Sequence, residues 1–579
     1  MNKNTVIAMI LSTVVVVASI FVQSKFFPNS IDKSGAESKK TAEEMVADEK
    51  SAGQSETNLV VSDSNADVKD EKNYTITTKN AEIVLTNRGG DVISYRLLNH
   101  IDVDTKDGVQ MVDNVSAANR ACALAFGNAE SPILNELFNV VQENEYTYLF
   151  TRNYSITNED GSVSKFVLGK RYTFDPESYM FKMDVLVHGD KVENLAYTLR
   201  TSPQIGPHFN PKLNRYENRQ FISYNGGKAK RQVIGNKQFK VYGKDYLWNG
   251  IGGKYFVELV IPEKSEKMDF THYSTLIEVN DYANAQAILV RKAFSEDDVK
   301  DTYYMYFGPR DEKALRIFNV AEKNSWNLSG LRLNECLNSN GWLGWLETVL
   351  KWIMEIINKF VHNWGASIII MTIFIKLLMF PFTRKQSLGT LKMQQIQPKV
   401  QAVQAKYANN QQKMQEEMAK IYKEAGYNPM SGCLPMLVQF LILFAMYNLF
   451  NNYFEFRGAE FIPHWIEDLS SGDSVYTLKF DIPFFGNQIR VLPFIYLVSQ
   501  LLFGKITGNG GTAAPGTSQA QMQMMMYVMP IMFFVLFYNA PSGLLIYWTV
   551  SNVFQMGQQI IINKTMKQKK AEMALKSKK

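Results

Sequence analysis

Residues 364–383 read Trp-Gly-Ala-Ser-Ile-Ile-Ile-Met-Thr-Ile-Phe-Ile-Lys-Leu-Leu-Met-Phe-Pro-Phe-Thr, a run long and apolar enough to cross a bilayer. Lys376 stands near its middle. A charge at that depth costs about 2.5–3.5 kcal/mol on insertion scales. It is kept only where the side chain faces water, a partner or a pathway, or where it can reach the surface. Further runs at 433–452, 491–507, 522–538 and 541–562, with an N-terminal run at 5–22, are each near the length that a crossing needs. Together they predict a polytopic α-helical membrane protein with six transmembrane helices. The mean hydropathy of −0.18 over 579 residues hides this, because the first half of the chain is polar.

Thr5–Val22 carries no charge. A secretory h-region is usually about 7–15 residues and ends at an A-x-A-like site. This run is longer and has no clear site of that kind, so residues 1–24 are expected to be a retained transmembrane anchor. Residues 25–72, rich in Ser, Asp, Glu, Lys and Asn, read as a disordered linker. From 73 to 330 short β-type runs alternate with turns. Tyr74-Thr-Ile-Thr-Thr, Ala81-Glu-Ile-Val-Leu-Thr, Asp91-Val-Ile-Ser-Tyr, Lys254-Tyr-Phe-Val-Glu-Leu-Val-Ile-Pro and Thr302-Tyr-Tyr-Met-Tyr-Phe-Gly are strands, and Asn87-Arg-Gly-Gly is a turn. This predicts one large all-β sandwich domain.

In 341–361, Glu347, Lys351 and Glu355 share a face while Trp342, Leu346, Val349, Ile353, Ile356 and Phe360 lie elsewhere. Such a helix suits the membrane interface; packing on the β domain is the alternative. If the N-terminus is inside, the β domain is outside, and 384–430 and the tail from 563 are both inside. Lys and Arg agree: eight in 384–430 and seven in the tail, against Arg457, Lys479 and Arg490 alone in the outer loop 453–490. Within 384–430, Leu391, Ile396, Val400, Val403 and Tyr407 make one apolar stripe, and Met414, Met418, Ile421 and Tyr422 make a second. Asn409-Asn410 breaks them and Gly426 ends the second. That is an antiparallel cytoplasmic helical hairpin, either a docking arm or a solvated structural element. Residues 508–520 form a flexible cytoplasmic loop and 563–579 a basic cytoplasmic tail.

Chemistry-bearing motifs are few. Cys122, Cys336 and Cys433 suggest no disulfide framework, and the six histidines form no compact metal motif. Phosphate loops, nucleophile elbows and dinucleotide fingerprints are missing from the sequence. No catalytic residue, cofactor, metal or direct DNA binding is expected. The spans hold no Asp or Glu. Neutral polar groups accompany Lys376: Thr372, Gln439, Ser499, Gln500, Ser551 and Asn552. Lys376 lies about 12 Å of helix from Arg384. It either snorkels toward the inner surface or supplies a positive field in an inward-opening hydrated groove, with Thr372 on the same face. Met522–Met532 holds six methionines; they suit varied apolar partners or ordinary packing. A solute transporter would bring intramembrane carboxylates or internal repeats, and neither is present. An envelope scaffold anchored by its helices is the other alternative.

Three motifs stand in order: Asn363-Trp-Gly-Ala-Ser-Ile-Ile-Ile with Pro381-Phe-Thr, then Asn428-Pro-Met-Ser-Gly-Cys-Leu-Pro, then Pro541-Ser-Gly-Leu-Leu-Ile-Tyr-Trp-Thr-Val-Ser-Asn. With Asn87-Arg-Gly-Gly, Lys254-Tyr-Phe and Tyr306-Phe-Gly-Pro, they make the chain resemble the YidC/Oxa/Alb membrane-protein insertase family in its long bacterial YidC form. The resemblance implies a periplasmic β-sandwich and a five-helix core, 364–562, around a hydrophilic groove closed to the periplasm. Lys376 matches a groove position that is an arginine in many bacterial members. Thr372, Gln439 and Trp548 would line the groove. The spans at 433–452 and 522–538 would form an apolar slide, with Met525, Met529, Phe533, Phe440 and Phe444 on it. Nascent membrane proteins would be the substrates. A Sec-type translocon and the ribosome, reached through the hairpin and basic tail, would be partners in the bacterial inner membrane.

Overall fold

The computed structural model describes residues 59–61, 68–102, 105–157, 161–192, 194–207, 217, 219–234, 238–243, 246–274, 285–337, 343–407, 410–426, 429–483, 485–508 and 527–576. The expected N-terminal anchor, nearly all of the loop 508–520, and Met525 lie outside these residues.

The strands follow the β-branched and aromatic runs. Asn73–Thr77, Ala81–Thr86 and Asp91–Ile101 pair antiparallel with Gly108–Gln110 in a four-stranded sheet. The turn before Asp91 puts Gly89 and Gly90 at φ +69° and +63°, a region open to glycine at little cost. A Cβ on Gly90 would also come within 2.9 Å of Phe150 Cβ. Asn87 fixes the same turn, accepting from the Lys72 N–H at 2.8 Å and donating to the Asp70 carbonyl at 3.0 Å.

A ten-stranded sheet forms the centre of the domain, and a five-stranded sheet adds Ala123–Phe126 and Leu195–Arg200. One face of the large sheet, with Phe150, Tyr172, Met183 and Met305, shares a core with Ile83 and Leu85 of the four-stranded sheet and Leu124 and Leu289 of the five-stranded one. The other face, with Ile222, Trp248, Leu259 and Tyr306, is covered by Leu315, Phe318 and Leu333. The sandwich is thus one large sheet against two smaller sheets, with a helical layer behind. A buried ion cluster ties two of the sheets together. Asp91 accepts from Arg120 Nε at 2.8 Å and from Lys170 Nζ, which also donates to the Gly89 and Cys122 carbonyls.

Part of the run expected as a disordered linker, 25–72, is ordered, and the rest of it lies outside the described residues. Leu59–Val61 is a strand paired antiparallel with Tyr154–Ile156, because three consecutive apolar residues complete the edge of the large sheet. Residues 70–72 are held at the Asn87 turn, where Glu71 also pairs with Arg88 Nε at 2.9 Å.

The helices are α1 (Glu312–Arg316), α2 (Gly344–Val361), α3 (Trp364–Lys406), α4 (Gln411–Glu424), α5 (Pro429–Asn452), α6 (Leu492–Gly508), α7 (Met529–Leu536) and α8 (Ser542–Lys576). Among the described residues one helix, Trp364–Arg384, is long and apolar enough to cross a membrane, and Leu492–Ile506 is a shorter apolar helix. The Asn363 side chain caps α3, accepting from the Ala366 N–H at 2.9 Å. The helix then runs unbroken through Pro381 and Pro398, joining the expected span at 364–383 to the first arm of the hairpin. A proline removes one helical hydrogen bond and bends the axis without ending the helix when flanking turns hold. Asn410 caps α4, whose Met418, Ile421 and Tyr422 pack on Ile396 and Val400. The two apolar stripes therefore meet.

Helix α2 packs on its neighbours along one side. Leu350 and Met354 are buried among the helices. Its charged face turns inward: Lys351 pairs with Glu312 of α1 at 2.8 Å, and Glu355 accepts from Tyr453 OH at 2.8 Å. Trp345, Trp352 and Phe360 point outward, exposed. Nearby, Phe454 sits edge-on to His100 and Phe256 of the β domain, and Arg457 donates to the Ile101 carbonyl at 2.6 Å. Burial lowers the His100 pKa to about 4, helped by Arg457, so the ring is neutral at this contact.

Candidate functional site

Lys376 is only 4% exposed. Its Nζ donates to Gln439 Oε1 of α5 at 2.9 Å, and its carbonyl accepts from Gln558 Nε2 of α8 at 3.3 Å. A snorkelling lysine would extend along α3 toward Arg384 and end in solvent. Here the head group instead turns between helices, and among the described residues no carboxylate pairs with it. Thr372, one turn earlier, is fully buried and donates to the Ile368 carbonyl at 2.6 Å.

Helix α8 carries two inward faces. Leu544, Tyr547, Ser551 and Gln558 are buried and recur at helical spacing. Trp548 and Asn552 lie on the other face. Asn552 Nδ2 donates to Ser499 Oγ at 3.1 Å and Gln500 Oε1 at 2.7 Å of α6. The Trp548 ring packs on Tyr496 and Phe537 at 5.4 and 4.7 Å. Lys376 and Gln439 are brought together, with Thr372 on the same helix face. Trp548 belongs to the neighbouring aromatic group against α6. Of the expected slide residues, Met529 and Phe444 are exposed and Phe533 is half-buried. The Phe440 side chain lies outside the described residues.

The end of the bundle that carries the 453–490 loop is tied by hydrogen bonds. The Asp473 carboxylate accepts from the Val491 and Leu492 N–H groups at 2.7 and 3.0 Å, capping α6, and from Trp465 Nε1 at 2.9 Å. Arg490 donates to the Asp473 carbonyl at 2.8 Å and to Asn539 Oδ1 at 3.0 Å. Ser542 donates to the Ser471 carbonyl through both its N–H and its hydroxyl. Sequence reading passed over Gln558, although its seven-residue spacing from Ser551 places both on one face. It also passed over Asp473 and Arg490, whose partners lie in separate loops and leave no periodic signal.

Family models match two blocks of the chain: the 60Kd inner membrane protein model over residues 356–570 and the YidC periplasmic domain model over 73–353. The chain belongs to the YidC family. It is 40% identical to a membrane protein insertase YidC of Treponema denticola, over 98% of this chain and 100% of that one. The corresponding protein of Treponema pallidum is 37% identical, over 98% and 100%. A YidC of Prosthecochloris aestuarii is 29% identical, over 86% and 83%. The YidC-type motifs now have physical reasons. A Cβ on Gly365 would lie 2.2 Å from Phe461 Cγ, and one on Gly543 would lie 3.1 Å from Phe450 Cδ1, so both glycines permit close packing there. Asn363 and Ser542 provide the cap and the loop tie.

Proposed function

We propose that this protein is a bacterial inner-membrane insertase that integrates newly made membrane proteins and helps them fold. The periplasmic β domain and six membrane-spanning helices would leave both termini cytoplasmic. Insertion would run through a hydrophilic groove lined by Lys376, Thr372 and Gln439, with Trp548 at its wall. Transmembrane segments would leave along the apolar surface of α5 and α7, past Phe440, Phe444, Met525, Met529 and Phe533. The observation that carries this reading is the seat of Lys376, a cation buried between helices on a neutral amide. A cation held by an amide keeps its field for an arriving group, whereas one neutralised by a carboxylate would not.

A short acidic or polar outer segment of a substrate would be drawn toward Lys376 while the outer bolt of Asp473, Arg490 and Asn539 keeps the far end closed. Apolar burial of the substrate helix would drive its release into lipid. The hairpin of α3 and α4 and the basic tail would meet the ribosome, and a Sec-type translocon would share larger clients. A photoreactive residue at Thr372 and another at Phe533, present during synthesis of a small membrane protein in membrane vesicles, test the route. Nascent-chain adducts at both positions are expected. Their absence at both would end the groove-and-slide reading.

A further inference from the structure

The outer loop between α5 and α6 carries a two-stranded hairpin, Tyr476–Ile482 with Gly486–Ile489, that none of the roles above uses. The longer strand alternates. Tyr476, Leu478 and Phe480 alternate in sequence with Thr477 and Lys479, and the register with the second strand shifts between Thr477 and Ile482. Ile489 pairs across from Tyr476 and joins the apolar face. A sheet with one apolar face normally buries it against a core. Here Tyr476 is 62% and Phe480 65% exposed, and Ile482 and Ile489 are exposed too.

The turn of the hairpin, just before Gly486, shows what lies beside it. Phe485 stacks edge-on against Tyr538 at 4.7 Å and lies 6.1 Å from Phe534. Phe534 packs in turn on Phe494 of α6 at 4.8 Å. The turn of the hairpin thereby reaches the exposed apolar sides of α6 and α7, where Phe494, Val498, Ile531 and Val535 are open. A surface of that kind on a membrane-spanning helix meets lipid.

We infer that this hairpin is an interfacial membrane anchor, its apolar face set into the outer leaflet of a phospholipid bilayer and Lys479 turned to water. The inference rests on the reading that α6 spans the membrane. Depth is limited by the backbone. A two-stranded sheet has unpaired edge N–H and C=O groups, which the hydrocarbon core does not tolerate and the wet headgroup region does. Tyr476, with an apolar ring and a polar hydroxyl, suits that boundary.

The test places a nitroxide at Tyr476→Cys, Phe480→Cys, Lys479→Cys or Val498→Cys in the full chain, reconstituted in phosphatidylethanolamine–phosphatidylglycerol vesicles. Collision with oxygen, which concentrates in lipid, is compared with collision with a water-soluble nickel chelate, and spectra are read against the unsubstituted chain. An oxygen-to-nickel ratio severalfold higher at 476 and 480 than at 479 is the expected result. Preference for nickel at 476 and 480, with Val498 still in lipid, overturns the anchor and leaves the span reading standing. Exclusion of both reagents at 476 and 480 assigns the face to a protein partner instead and also overturns it. Preference for nickel at Val498 removes the span reading, and the anchor with it.

Discussion

Glu258 offers a quantitative test of the β domain. It lies in the strand Phe256–Pro262, every residue of which is buried, and one carboxylate oxygen accepts from the Ser202 N–H at 2.9 Å. Burial pushes its pKa up from 4.5 to about 8, against the smaller opposing effect of the Thr201 and Ser202 hydrogen bonds. The native state therefore holds a proton that the unfolded chain releases between those values. The stabilising contribution is complete below about pH 4.5, falls as pH rises, and is gone above about 8. Each pH unit inside the window is worth roughly 1.4 kcal/mol, so the whole effect is on the order of a few kcal/mol. Glu258→Gln keeps the shape and removes the titration. Chemical unfolding of the full chain in detergent, followed by tryptophan fluorescence, should give nearly equal stabilities for the two proteins at pH 5. At pH 8.5 the variant should be more stable by a few kcal/mol. Parallel stability curves from pH 5 to 8.5 would show that Glu258 is already ionised in the native state and refute the reasoning.

Four other outcomes are expected. Lys376→Glu should lower insertion of a small client into proteoliposomes about tenfold, equivalent to ~1.4 kcal/mol, while Lys376→Arg stays near the parent; equal activity of the two would remove any role for the charge. Gly365→Ala, whose Cβ meets Phe461 at 2.2 Å, should cost about 1–3 kcal/mol, read as a lower melting temperature of the purified chain. Asp473→Ala removes the cap of α6 and the acceptor of Trp465, a loss of about 1–3 kcal/mol. It should make residues 453–490 more sensitive to added protease. Asp91→Ala leaves Lys170 and Arg120 buried without their carboxylate and should destabilise the β domain by about 3–5 kcal/mol, seen as its early unfolding in a denaturant series.

What could be read from the chain beforehand was mostly local. The Asn87 turn, the strands at 73–101 and the two stripes of the hairpin each come from residues a few positions apart, where periodicity reports directly on burial. Lys376 could be singled out because a charge in an apolar run is costly wherever it ends up. Three features were not legible. Leu59–Val61 is too short to carry a pattern, and only its pairing with Tyr154–Ile156 makes it a strand. The prolines of α3 look like boundaries, yet packing of α3 against α5, α8 and α4 keeps the helix whole. The Asp473 and Arg490 bolt joins residues across separate loops, and such bonds are decided by tertiary approach rather than by spacing. Trp548, expected to line a groove, packs with Tyr496 and Phe537, contacts that sequence spacing could not name.

The unbroken course of α3 makes the turn that carries Lys376 and the hairpin with α4 parts of one shaft. From Lys376 to Lys406 the axis runs about 45 Å, so a small tilt at the hairpin becomes a displacement of several ångströms at one end or a twist at the other. Pro381 lies between them, inside the helix. A load applied to the hairpin by anything that grips it is thus delivered mechanically to the turn that carries Lys376, with no intervening loop to absorb it.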